Sequence, residues 1–399
     1  MKKLFYFSAS VLAMACAAAC DNGTANIDTV EEDARFAAIA DVFVNKTVIP
    51  TYHSLSDHTA ELVTALETFS GSKTQSNLDN VCEVFLEARA FWEKSEAFLF
   101  GPATVFGIDP HIDSWPLDVD ALERLLADGT IIASLEGEGG DVYAGEQLGN
   151  ALLGFHGIEY IIFADGSPKT YTEITDTELT YCIAVSGDLR NKCWQMEIAW
   201  AGEDGTDGSR YDYVVNELEA NVTTDSGSTY GENMLNAGKA GSLYASWNLA
   251  MQAIVDGSIT IADEVATQKI GRPYEGSSED DINYIESPYS HMSIQDFYDN
   301  MVSIKNVYYG GMDAASLGTA SDSYDGTNSL HAYMSEVNPD LDSRVTAAIE
   351  TALAQINGDG TGMAKPFVNN RTDPSVGEAQ DAVSALAVVL EELKNQFVD

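Results

Sequence analysis

Apolar residues recur every three to four positions in eight stretches of this chain, the spacing that lines one face of an α-helix. Four stretches lie in the first half, over residues 36–69, 77–100, 147–164 and 176–200, and four in the second, over 242–269, 294–309, 328–356 and 376–397. Strand-type alternation is scarce. The pattern predicts an all-α protein of two bundle-like helical halves, residues 30–205 and 206–399, as in a duplicated four-helix bundle. The second helix of each half closes alike, with FLFGP at 98–102 and VYYGG at 307–311, where glycine can take the left-handed cap conformation. The polar run GEDGTDGSR at 202–210, with the mixed segment after it to 238, reads as the connection between halves. Inserts rich in Gly, Ser and Asp at 277–281 and 314–328 read as surface loops.

The first 20 residues break this pattern. Two lysines precede an apolar run from Leu4 to Ala19 that ends at Cys20, the layout of a secretory signal. Ala17, Ala18 and Ala19 directly before Cys20 point to a lipoprotein signal, with Cys20 acylated and residues 21–29 as a tether; Cys16 is the weaker acylation candidate, and an ordinary cleaved peptide is the plainer reading. No later segment offers the ~20 uninterrupted apolar residues of a membrane span. The formal net charge of −43 rules against nucleic acid, whose phosphates need clustered Lys and Arg. A cation or a basic partner suits it better, although acidic surfaces commonly serve solubility alone. Beyond the leader, Cys82, Cys182 and Cys193 make an odd set. On one helix, Cys182 and Cys193 would stand ~16 Å apart, beyond the roughly 7 Å reach of a disulfide, so free buried thiols are expected.

Candidate chemistry centres on LGNALLGFHGIEYIIFA at 148–164, where His156 and Glu159 are the two ionisable side chains in a nearly all-apolar run. Three residues apart, they share a helix face. An unpaired carboxylate there would cost on the order of 3 kcal/mol or more, so partners must come from elsewhere in the chain. Gly154 and Gly157 each weaken a helix by roughly 1 kcal/mol, a cost met where something packs close. Upstream, Val81, Phe85, Ala88, Trp92 and Leu99 form an apolar stripe that carries Glu96 inward, and Arg89 on its edge is placed to pair with Glu93 or Glu96. Downstream, Glu264, Lys269 and Arg272 end a helix, and Glu286, Ser287 and Ser290 form a polar turn around Pro288. His156 and Glu159 with Glu96, joined by Glu264 or Glu286, would offer one imidazole and up to three carboxylates, a set suited to iron or another divalent metal. The plain alternative is a buried salt bridge and a hydrogen-bonded His–Glu pair. Histidines 53, 58, 111, 291 and 331 show no paired metal-ligand spacing and are expected at the surface or in local caps, with His291 beside the Glu286 turn as the exception to watch. The chain carries no His-Glu-x-x-His, no inverted form of it, no Glu-x-x-His, no serine elbow and no phosphate loop.

The pattern Gly-x-His-x-x-Glu at 154–159 resembles the signature of the imelysin-like family. RAFWEKSEAFLFGP at 89–102, SWPLD at 114–118, DEVATQKIG at 263–271, ESPYS at 286–290 and IKNVYYG at 304–310 are similar to further blocks of that family, in the family's order over about 220 residues. The resemblance implies a membrane-anchored lipoprotein, held at a bacterial outer membrane and facing the periplasm or the exterior, with iron-transport proteins as partners. It implies a non-catalytic binding role in iron or haem uptake, with a site near the junction of the halves. His156, Glu159 and Glu96 would be the metal ligands. Arg89, Trp115, Asp118, Gly154, Glu264, Lys269, Glu286, Ser287 and Ser290 would line the ligand site. The family is named for a proteolytic activity, so a metal-dependent peptidase is the alternative, and a surface interaction protein with a purely structural His–Glu pair is the third.

Overall fold

Helices supply almost all the regular structure of residues 27–398, the part described by the computed structural model of this chain. The leader and Cys20 lie outside the described residues. Among the described residues, nine helices have nine or more residues: α1 Ile27–Val42, α2 Ile49–Gly71, α3 Gln75–Glu93, α4 Gly154–Ile162, α5 Asp176–Ala201, α6 Trp247–Glu264, α7 Ser293–Tyr309, α8 Pro339–Asn357 and α9 Pro374–Lys394. Their starts are encoded locally. Thr74 and Ser246 accept from backbone amides three residues on to cap α3 and α6, Thr175 and Glu178 form a capping box for α5, and Asp373 precedes Pro374 at the first turn of α9. Among the described residues, no helix is long and apolar enough to cross a membrane.

α2, α3 and α5 pack together in the first half, and α6, α7, α8 and α9 in the second. α1 crosses to the second half and packs on α6. There the Phe36 ring meets Tyr333 and Phe397 edge-on at 5.2 and 5.5 Å. α7 packs on α3 and makes the main seam between the halves. The buried apolar residues form one continuous core through both. A two-residue antiparallel pairing, Phe163–Ala164 with Ser167–Pro168, follows α4. Cys82, Cys182 and Cys193 are free and buried.

Five expected helices come out differently: the 36–69 stretch is interrupted by the π-helical turn Phe43–Val48, the 77–100 stretch ends at Glu93 so that Glu96 lies on a separate 3-10 turn, and three more change as follows. The 147–164 stretch contains only the nine-residue α4, because Leu148 and Gly149 are extended and a 3-10 turn at Asn150–Leu152 precedes it. The 328–356 stretch splits at Asn338, whose side chain caps α8 before Pro339, a residue that cannot continue a helix. The 242–269 stretch runs as α6 and then widens into a π-helical turn, Val265–Ile270.

Candidate functional site

At the seam, five segments that are distant in sequence deliver charged side chains to one buried place. α3 presents Arg89 and Glu93 one turn apart, and the 3-10 turn Glu96–Phe98 that follows carries Glu96. Asp113 ends the short helix Asp109–Ile112. α4 brings His156 and Glu159, the π-turn brings Lys269, and the 286–291 turn and α7 bring Glu286, Asp296 and Asn300. Backbone geometry sets this up. Gly154 has φ +70°, and a Cβ there would sit 1.8 Å from the carbonyl oxygen of Ile112, so only glycine lets α4 start hard against the segment that holds Asp113.

Arg89 is the hub. Its guanidinium is ion-paired with Asp113, lies 2.6 Å from Glu93 Oε1 and 2.7 Å from Glu286 Oε1, and its Nε is 3.7 Å from Asp296. Trp92 Nε1 donates to the other Asp113 oxygen at 2.7 Å. Lys269 Nζ stands 3.2 Å from Glu286 and 3.6 Å from both Glu93 and Glu96. His156 Nε2 is 3.0 Å from Asp113 Oδ1, without an aligned hydrogen bond, and Nδ1 is 3.5 Å from Glu159 Oε2. Glu159 Oε1 accepts from the Tyr289 and Ser290 amides and the Ser290 hydroxyl, at 3.1, 2.8 and 2.7 Å. Ser287 donates to Asp296, and Asn300 to Glu93.

Six carboxyls (Glu93, Glu96, Asp113, Glu159, Glu286 and Asp296) thus share this interior with three basic groups, Arg89, His156 and Lys269, and all nine are less than 9 % exposed. The imbalance appears in the protonation chemistry. Burial opposes ionisation of Asp113, but Arg89 and then His156 hold its carboxyl well below the usual range. Burial also opposes charge on His156, yet its contacts with Asp113 and Glu159 raise it to about 9, so the imidazolium persists at neutral pH. Asp296 is pushed up to about 7 by burial against a weaker pull from Arg89. Burial likewise raises Glu93, Glu96 and Glu286, with Lys269 and Arg89 only partly offsetting it.

The donor types fit a cation. Oxygen and nitrogen atoms of Asp113, His156 and Glu286 lie within 4.8 Å of one another, and so do oxygens of Glu93, Glu96 and Asp113. Glu286 Oε2 and His156 Nε2 are buried without hydrogen-bond partners, a need that a bound cation or an ordered water would meet. Among the described residues, a third such group, His58, Glu61 and Glu87, lies on the surface.

The residues expected from sequence divide accordingly. Arg89, Glu96, His156, Glu159, Lys269 and Glu286 meet in the cluster. Arg89 takes Glu93, of its two expected partners. Ser287 and Ser290 support the cluster through Asp296 and Glu159, Gly154 seats α4, and Glu264 lines an adjoining cavity. Glu159 belongs to neither convergent donor set at the seam, because its two oxygens serve the 289–290 turn and His156. Trp115 and Asp118 are not brought to the cluster: the Trp115 ring lies against Tyr284, tilted by 47° with centroids 4.0 Å apart, and Asp118 caps the helix Val119–Leu126. Of the other histidines, His53 is exposed, as expected of a surface residue, and His58, His111 and His331 are partly buried. His53, His111 and His331 are 2.7–2.8 Å from Glu197, Asp188 and Asp342, which lie 144, 77 and 11 residues away in sequence. Asp113, Asp296 and Asn300 join the cluster from outside the residues that the sequence pattern marks. A signal existed for the latter two: polar residues 293, 296, 300 and 303 of α7 are all buried, a polar stripe at helical spacing.

Fold and cluster together define an all-helical protein built around a buried, carboxylate-rich ion-pair network. The chain belongs to the imelysin family (peptidase M75), whose pattern matches residues 48–390. It is 28 % identical over 353 residues to iron-regulated protein A of Synechococcus elongatus, covering 88 % of this chain and 83 % of that one. A crystal structure described as an iron-regulated protein A precursor from Parabacteroides distasonis superposes with a TM-score of 0.75 at 28 % identity, over 92 % of this chain and 96 % of that one. An imelysin-like protein from Psychrobacter arcticum shares the fold, with a TM-score of 0.61 at 12 % identity over 90 % and 93 % of the two chains.

Proposed function

We propose that this protein is a non-catalytic, membrane-anchored lipoprotein that binds iron, or a divalent metal of similar chemistry, at the buried cluster. The observation that carries the reading is the excess of carboxyls over basic groups around the convergent Asp113, His156 and Glu286 donors, with Glu286 Oε2 left without a partner. A cation there supplies the charge that Arg89 and Lys269 do not. One imidazole with two carboxylates suits ferrous iron better than a soft metal. The relatives named for iron regulation agree with this cargo, and Cys20 would provide the anchor.

Arg89 and Lys269 already lean on Asp113 and Glu286, so the cation enters by displacing these contacts and the proton of His156, which is released to solvent. Glu159 and Ser290 act as positioning residues, since they fix the imidazole and the 286–291 turn. A peptidase needs an open ligand position and room for a peptide beside the metal, whereas His156 and Glu286 are 2 % and 0 % exposed. That burial favours holding an ion over cleaving a chain.

Equilibrium dialysis against ferrous, ferric and zinc ions tests this on the chain from residue 21 onward, which keeps every described residue. The expected result is near-stoichiometric uptake that both His156→Gln and Glu286→Gln abolish while far-UV circular dichroism is retained. Folded protein that takes up no metal would overturn the reading.

A further inference from the structure

Glu96 also faces outward from the cluster. It is 7 % exposed, it makes no hydrogen bond, and its one ionic contact is Oε1 to Lys269 at 3.6 Å. Its other oxygen has no partner, and the carboxylate lines a cavity of about 540 Å³. Asp109 and Glu264 line the same cavity, and neither makes a hydrogen bond or ion pair through its side chain. No Lys or Arg lines it, although Lys394 reaches Asp256 at 2.5 Å. The walls are apolar and aromatic, with Phe100, Tyr230, Tyr244 and Leu243, and Leu243 is 64 % exposed. Lys269 touches only Glu96 of the three and is shared with Glu93 and Glu286, so three carboxyls set among hydrocarbon and ring faces stay incompletely neutralised, which is costly. Consistent with that, burial and repulsion from Asp113 raise Asp109 to about 6.

We infer that this cavity binds a small linear diamine or polyamine, its ammonium groups meeting Glu96, Asp109 and Glu264 and its methylene chain lying on the apolar wall. A bare metal ion fits less well, because Asp109 and Glu264 belong to none of the donor sets that converge within 4.8 Å. Separated carboxylates with hydrocarbon between them match separated charges joined by methylenes. Tyrosine and phenylalanine faces add attraction for an ammonium group. This site goes beyond the ion held at the cluster and does not depend on it.

The test is calorimetric titration of the chain from residue 21 onward with putrescine and spermidine, at about 0.15 M salt to screen non-specific attraction to the acidic surface. One site per chain is expected, tighter for spermidine. Asp109→Asn should weaken it at least tenfold. Ala253→Trp, which fills the cavity without changing net charge, should do the same, and His156→Gln should leave it intact. Equal affinity in Ala253→Trp, or displacement by magnesium at matched ionic strength, would overturn the proposal. If Ala253→Trp does not fold, Val105→Trp at the cavity wall decides it by the same two outcomes.

Discussion

Arg89 sets the charge balance of the cluster, because one guanidinium faces four carboxylates from three other segments and its own helix. Replacing it with Met removes the cation and leaves those acids buried, at a cost of about 3–5 kcal/mol. Urea denaturation checks this; a loss below ~1 kcal/mol would mean that the acids simply take up protons, as raised groups can. Ser290→Ala tests the positioning role assigned to the turn. It removes one of three hydrogen bonds to Glu159 Oε1, and a bond to a charged acceptor is worth roughly 2 kcal/mol; the same denaturation measurement reads it. Some of this was legible in the sequence. His156 and Glu159 stood out as the ionisable residues of an apolar run, and Arg89 with Glu93 as an i, i+4 pair. Asp113 did not, since it ends a four-residue helix in a stretch without periodicity, and no spacing ties it to Arg89 or His156.

Short irregular elements position the cluster more than long helices do. α4 is nine residues long and starts at Gly154 with a positive φ, 1.8 Å being the distance an added Cβ would leave to Ile112 O. Gly154→Ala should therefore cost roughly 3 kcal/mol from strain and forced displacement together. A melting temperature within a degree of wild type would contradict it. The π-turn Val265–Ile270 turns Lys269 inward to 1 % exposure, in keeping with the frequent use of such turns at functional sites. Periodicity predicted the helices around these elements because apolar spacing reports packing faces. It extended 147–164 too far, since the apolar content there belongs to extended and 3-10 backbone as well as helix. The polar stripe on α7 carried information that an apolar count discards.

The two halves meet through ionised groups, so the stability of the whole molecule should follow pH. Asp296 is raised from an ordinary 3.8 to about 7, and His156 from 6.5 to about 9. Each group holds its proton more tightly when folded, so its contribution is complete below the ordinary value and is lost as pH rises through the raised one. The metal-free protein should then lose on the order of 5 kcal/mol between pH 5 and 8, as read by denaturation at each pH. Asp113, held low, acts in the opposite sense, but only at strongly acidic pH. Stability that rises from pH 5 to 8 in the absence of metal would contradict the cluster's assigned charges. At this scale the all-helical class and the run of family blocks were visible in the sequence. The crossing of α1 onto the second half and the seam between α3 and α7 were not, because periodicity shows which face of a helix is buried and not what buries it.

Calorimetric titration of ferrous iron in buffers of different ionisation enthalpy, under anaerobic conditions at pH 7.5, tests the central claim most directly. Because His156 is protonated there in the free protein, binding through its ring nitrogen should release about one proton per metal, and His156→Gln should remove both the heat and the proton. Binding without proton release, or undiminished in His156→Gln, would place the ion elsewhere and leave the cluster a structural clasp between the halves.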